Sequence, residues 1–278
     1  MSTFDGFVDD ASGPDGHDGS DGPAGPPQVS PSTAFMGARL VRDVDLPSLR
    51  GYDGPLAVVV TGGAGQVAGP AALCARTGLR LVRLEVGLRD LEDLATNARR
   101  VVAAVDDARA SGTLADDVEV RVELPATGAA PSAGWLGAAD EVSGADLGLT
   151  LRLDGAGGPG GTGGTAGTAG ALAMLDAALD RELAFGWRGL TRAVPDGPGS
   201  LGFLNVLAAT VLLFDGLPNP ASALESRDVE SLLGRTGGEL ARGRRWFRSF
   251  ASADVATSLD DLAGLAARLD RTPSADGR

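Results

Sequence analysis

The sequence predicts an α/β chain that closes as a single (β/α)8, TIM-barrel-like domain, with an incomplete or distorted barrel as the variant the strand count also allows. Three observations predict it. Strand-like and helix-like stretches alternate from residue 35 to residue 272, which implies parallel strands joined by right-handed crossovers. Several of the strand-like stretches are continuous apolar runs, the pattern of strands covered on both faces. The 278 residues match the typical length of a closed barrel, ~250 residues.

Residues 1–34 come first. They hold six Asp and no Arg, and are rich in Gly, Pro and Ser. Too little apolar surface is present to offset the entropy of ordering, so a disordered tail is expected, with "FVDD" the one segment suited to docking. "GARLVRDV" (37–44) alternates like a strand. "LAVVVTGG" (56–63) is a buried strand ending in Gly-Gly, and residues 65–77 follow as a helix. "LRLVRLEVGL" (79–88) is the next strand. "LEDLATNARRVVAAVDDARASG" (91–112) is an amphipathic helix closed by Gly112. "VEVRVELP" (118–125) is a strand stopped by Pro. A short helix at 134–143 precedes the strand "LGLTLRLDG" (147–155). Residues 155–170 are a Gly-rich stretch expected as a flexible loop. A helix (171–184), a short strand (184–188), the very apolar helix "LGFLNVLAATVLLFDG" (201–216) and the short helix "DVESLLGR" follow. "RRWFRSFAS" (244–252) reads as a helix end passing into a final strand. "LDDLAGLAARLD" (259–270) closes the domain, and 273–278 form a disordered end.

Composition excludes much chemistry. All 24 basic residues are Arg, so there is no lysine for a Schiff base, for pyridoxal phosphate or for a P-loop. The one His, His17, lies in the tail, which argues against a histidine base, a Ser–His–Asp triad or a His-rich metal site. Cys74 is the one Cys; it sits in an apolar helical pattern and reads as a core filler. No intrachain disulfide is possible, in keeping with a reducing cytosol. The net charge of −13 offers no attraction to nucleic acid or to an anionic membrane. No apolar run reaches transmembrane length, and the start lacks a signal-peptide pattern. A cytoplasmic protein with no cofactor, no nucleic acid and no membrane partner is expected.

The Gly-rich stretch "GGTGGTAG" can be laid on a dinucleotide-binding pattern, but it follows a late strand and lacks the expected acidic partner. "VVVTGGAGQVAG" (58–69) is better placed between strand and helix. Thr61, Gly62 and Gly63 there could turn backbone N–H groups toward an anion; a plain tight turn is the structural alternative. The C-terminal ends of barrel strands, where barrel function resides, bring forward Thr61, Glu85, Glu123, Arg152, Asp154 and Arg188. Glu85 and Glu123 could divide acid and base roles or hold a divalent cation. Arg152 could clamp an anionic group. The structural alternative is a set of internal salt bridges, Glu85 with Arg152 or Glu123 with Arg121. Trp187 is either a pocket wall or core. Asn205, inside an apolar helix, needs a partner and is expected to brace a loop.

The segments "VVVTGGAG", "LRLVRLEVGLRD", "NARRVVAAVD", "DDVEVRVELP", "GFLNVLAAT" and "RRWFRSFAS" with "LDDLAGL" after it together resemble an uncharacterised family of actinobacterial β/α-barrel-like proteins. The resemblance spans residues 56 to 265 and implies a barrel without an assigned activity. It also implies departures. The family's early Asp-Asp-Ala-Ala-x-Phe-Pro-Pro is reduced here to "VDDASGPDG". Its Leu-Arg-Thr-Gly-Gly is "LRLDG" here, keeping Arg152 and Gly155. Its Phe-Lys-Ala-Thr-Ala-Gly-Leu-His-His corresponds to "AFGWRGLTR" (184–192), which places Phe185 at the Lys, Trp187 at the Thr, and Thr191 and Arg192 at the two His. The resemblance thus implies a divergent member without the Lys/His motif, whose Gly-rich loop lies over a former site.

Three functions are compatible with these readings. The first is a catalytically degenerate barrel with a residual small-molecule or protein-binding role, its partner an anionic small molecule or a paralogous protein. The second is a lyase- or isomerase-type enzyme using Glu85 and Glu123, with Arg152 binding an anionic substrate. The third is a structural or regulatory partner of an intact relative, assembled through the apolar 201–216 region.

Overall fold

The computed structural model describes residues 2–12, 31–89, 91–152, 167–197, 199–237 and 239–271. Eight parallel strands form a closed barrel in chain order. They are β1 (Val8–Asp10), β2 (Met36–Arg42), β3 (Pro55–Val60), β4 (Arg80–Gly87), β5 (Glu119–Glu123), β6 (Gly148–Arg152), β7 (Phe185–Arg188) and β8 (Phe247–Ser252). Closure is made by β1, which pairs with β2 on one side and with β8 on the other. The strands expected from the sequence after residue 35 are all present.

The tail expected over residues 1–34 is corrected at its start. Val8 to Asp10 is the eighth stave, and Phe4, Phe7 and Val8 are fully buried. "FVDD" is too short to announce a strand by itself; its order comes from the two neighbours that need a partner and from an aromatic cluster waiting for Phe7. The Phe7 ring meets Phe203, Phe247 and Phe250 edge-on, at centroid distances of 6.2, 5.0 and 5.1 Å. The guanidinium of Arg244 lies 4.0 Å over the same ring. It donates to the carbonyls of Thr3 and Asp5 and to those of Phe247 and Arg248, fastening the first residues to the start of β8. Residues 13–30, with His17, lie outside the described residues, as do 272–278.

From β3 onward each strand is followed by a helix: α1 (Ala68–Thr77), α2 (Leu94–Ala110), α3 (Ala133–Gly144), α4 (Thr168–Leu179), α5 (Phe203–Phe214), α6 (Pro220–Glu225), α7 (Val229–Arg235), α8 (Leu240–Gly243) and, after β8, α9 (Val255–Leu269). Several starts are capped as the sequence dictates. Asp93, Ser132, Asp228 and Asp254 accept hydrogen bonds from backbone N–H groups of the first turns, which satisfies donors that have no intrahelical acceptor. The Gly-rich loop expected over 155–170 is partly helical, since Thr168 to Gly170 open α4; residues 153–166 lie outside the described residues.

Helix α5 is buried over Phe203–Leu212, sandwiched between the barrel and the α6–α8 layer. Its Asn205 Nδ2 donates to the carbonyls of Ala223 and Ser226 at 2.6 and 2.7 Å, the loop brace expected of a polar residue there. This corrects the expectation of an assembly surface at 201–216. The apolar face is consumed within the fold, and only Phe214 and Leu217 at its far end are exposed large apolar residues. Cys74 is buried in the core, as its apolar pattern implies.

Candidate functional site

Side chains of non-neighbouring strands can meet only by crossing the inside of a closed barrel. Several do here. Arg83 of β4 donates from Nη2 to Asp9 of β1 at 2.6 Å and from Nε to Glu85 at 2.9 Å. Arg188 of β7 reaches Glu85 of β4 with Nε and Nη2, at 2.8 and 2.6 Å. Its Nη1 lies 2.6 Å from Glu123 Oε2 of β5, while Arg152 Nη1 of β6 approaches the other Glu123 oxygen at 3.3 Å. The result is a chain of alternating charge, Asp9–Arg83–Glu85–Arg188–Glu123–Arg152. Beneath it Arg121 holds Glu119 through two N–H donors, at 2.8 and 3.0 Å, and donates from Nη1 to Ser249 of β8.

The alternation of strand side chains explains how an apolar sequence carries this lattice. Arg83 and Glu85 share one face of β4. Glu119, Arg121 and Glu123 share one face of β5. The opposite faces, with Leu84, Val86, Val120 and Val122, are fully or almost fully buried against the helices. Room for Arg121 comes from two glycines. A Cβ on Gly186 would lie 2.0 Å from Arg121 Nη1, and one on Gly148 would lie 3.2 Å from Arg121 Cγ.

Burial and charge compete at each group. Burial would raise the Glu85 carboxyl, but the guanidinium groups of Arg188, Arg83 and Arg121 overcome it and hold the carboxyl at about 2. Burial also acts against the charged form of Arg83, yet Asp9, Glu85 and Glu119 leave it more basic than an ordinary arginine. Arg121, buried and close to Arg83, is shifted the other way. Glu85 is therefore an ionised carboxylate throughout the physiological range. Both of its oxygens accept from arginine, and both Glu123 oxygens have arginine partners.

No protein-family profile matches the chain, and no curated protein matches it. Among solved structures, the crystal structure of 7,8-dihydropteroate synthase from Vibrio fischeri ES114 is similar, at 13% sequence identity over 96% of this chain and 83% of that one, with a TM-score of 0.37.

The sequence-derived candidates divide into those the barrel brings together and those it separates. Glu85, Glu123, Arg152 and Arg188 converge. The ion pairs expected as the structural alternative exist with different partners: Glu85 takes Arg83 and Arg188 rather than Arg152, and Arg121 takes Glu119 rather than Glu123. Thr61, Gly62 and Gly63 stand apart. The Thr61 amide and hydroxyl donate to Asp43, at 3.0 and 2.7 Å, so a carboxylate already occupies the place an anion would take. Gln66 packs so closely on Gly62 that a Cβ there would collide with it. Asp154 lies outside the described residues.

Trp187 faces the helices, not the lumen. It alternates with Gly186 and Arg188, and it is 1% exposed within the core. Phe185 shares that outer face and stacks on Phe247 at 5.4 Å. Both rings can lie outside because β8 is irregular there: Phe185 pairs with Phe247, but Gly186 pairs with Ser249, so one residue of β8 is skipped. The position to which the family resemblance assigns a lysine thus belongs to the aromatic layer, away from Glu85. Thr191 and Arg192 lie in the loop after β7, tied to α9 through Ser258 and Asp261.

Sequence reasoning missed Asp9, Arg83, Glu119 and Ser249 as members of the site. A signal was present for two of them. Charged residues two apart inside an otherwise apolar strand, as in "VRLEV" and "VEVRVEL", must share the face that is not packed on helices. Asp9 carried no such signal, because its segment does not read as a strand.

Proposed function

We propose that this chain is a divergent, non-catalytic β/α barrel that acts by binding a small anion at its C-terminal mouth through Arg152 and Arg188. The observation that carries the reading is the bridge made by Arg188 between Glu85 and Glu123, 2.6 Å from each. A carboxylate fixed between guanidinium groups and held at about 2 is too weak a base to take a substrate proton at neutral pH. With its oxygens committed it is a poor ligand for a cation. At the mouth end of the lattice, Arg152 and Arg188 lie nearest to solvent. The side chains of Arg152 and Arg188 are 24% and 17% exposed, against 10% for Glu123 and 3% for Glu85. Arg152 and Arg188 thus flank Glu123 on neighbouring, in-register strands. Planar guanidinium donors suit carboxylate and phosphate groups.

A thermal-shift panel of phosphorylated metabolites and sugar acids tests this. A ligand at 100 times its dissociation constant adds about 2.7 kcal/mol to stability. The expected result is a stabilising anion whose effect disappears in Arg152→Ala. A panel without effect, or an effect that survives in both Arg152→Ala and Arg188→Ala, contradicts the reading. Turnover of any panel compound that is lost in Glu85→Gln would favour the enzyme instead.

A further inference from the structure

We propose that the opposite, N-terminal face of the barrel holds a second binding site, for a short peptide with both termini charged. The site is independent of the mouth. A cavity of about 1150 Å³ opens there, walled by the connections that lead into β5, β6, β7 and β8. Its barrel-side wall includes Glu119 and Gly148, the ends of the strands that cradle Arg121. The volume lies just above the ~300–1,000 Å³ common for small-molecule sites and exceeds what a single amino acid fills.

Most of the lining's charges lack an ion-pair partner among the described residues, with acidic groups gathered before β5, β6 and β7, where Arg109 and Arg181 also lie, and basic groups at β8. Asp116 and Asp117 before β5, Asp146 before β6 and Glu182 before β7 all line the cavity. None has an ion-pair partner among the described residues. On the β8 side Arg245 and Arg248 line it, and neither has a carboxylate partner among the described residues. Two further donors in the lining lack acceptors: Arg109 Nε and the indole Nε1 of Trp246 are buried without a hydrogen-bond partner. Trp246 itself is only 6% exposed, so its N–H is not compensated by bulk water, a state that costs free energy unless an acceptor arrives. Carboxylates and guanidinium groups thus share one concavity without neutralising one another. A ligand bearing an ammonium group at one end and a carboxylate at the other satisfies both walls, with charge-assisted hydrogen bonds at each. Trp246 supplies the aromatic wall for the chain between them, with Arg245 already stacked 4.8 Å from its ring centre.

The test titrates trialanine into the full-length protein, read by calorimetry and by tryptophan fluorescence, since Trp135 and Trp187 are sealed in the core. N-acetyl-trialanine and trialanine amide, each lacking one charge, run in parallel. The expected result is saturable binding of trialanine, weakened at least about tenfold by either block. Asp117→Asn and Arg248→Ala, both at exposed side chains, should weaken it similarly with unchanged melting temperature. Absence of saturation by about 10 mM trialanine, or equal binding of either blocked peptide, overturns the proposal.

Discussion

At the residue scale, Glu85 decides what the barrel can do. Its value of about 2 lies below the ordinary 4.5, so its ionised form stabilises the fold at neutral pH. That contribution is complete above about pH 5 and is lost as pH falls from 4.5 through 2. The shift corresponds to roughly 3 kcal/mol. Urea unfolding of the wild type between pH 6 and pH 2 should show the loss, and Glu85→Gln should flatten the dependence while lowering stability at pH 7. Arg188→Met should cost about 3–5 kcal/mol at neutral pH, because it leaves two carboxylates without their shared partner; a loss under 1 kcal/mol would mean that the bridge is not formed in solution. Residue types told part of this story beforehand. An all-arginine, lysine-free chain with one histidine excluded several mechanisms outright, and Glu85, Glu123, Arg152 and Arg188 could be singled out from strand ends. Their pairing could not, because which guanidinium reaches which carboxylate depends on stagger between strands that no local pattern encodes.

At the scale of elements, glycines and turn residues set the geometry. Gly186→Ala places a methyl group 2.0 Å from Arg121 Nη1, and it should cost about 1–3 kcal/mol by displacing a buried guanidinium. The turns after the helices show a second device. Gly78 and Gly112 end α1 and α2 with left-handed backbone, at φ of 72° and 68°, whereas Asp146 and Glu182 take the same conformation after α3 and α4, at 55° and 54°. Left-handed backbone suits glycine, so Glu182→Gly should raise stability by about 0.5–1 kcal/mol in urea unfolding. A decrease would show that the Glu182 side chain makes a stabilising contact. Helices were legible from apolar spacing and turn residues, as with Gly112 at the end of α2; the start of α2 at Asp93 was not, since the helical rhythm begins two residues earlier. The end of α4 was not: "ALAMLDAALDRELA" continues in helical rhythm to residue 184, but the chain leaves the helix at Leu179 because it must turn to enter β7.

At the scale of the whole molecule, closure depends on a strand of three residues near the start of the chain. The alternation of strands and helices after residue 35 announced a barrel, yet it supplied one strand too few, and the missing stave lay in a segment whose composition reads as a tail. Short strands are specified by the sheet that receives them rather than by their own sequence. Phe7→Ala, which removes a fully buried ring from the aromatic cluster, should therefore cost about 3–5 kcal/mol and loosen β1 from both neighbours, seen as faster amide exchange in β8. The same closure is what forces charged side chains from β1, β4, β5, β6 and β7 into one lattice, which holds Glu85 as a permanent anion rather than as an acid or base. The most direct measurement is the titration of the Glu85 side-chain carboxyl carbon by NMR in protein labelled with carbon-13 glutamate, assigned by its absence in Glu85→Gln. A signal that stays in the ionised position as the pH is lowered past 4 is the result predicted; a carboxyl that takes up its proton between pH 5 and 7 would contradict it.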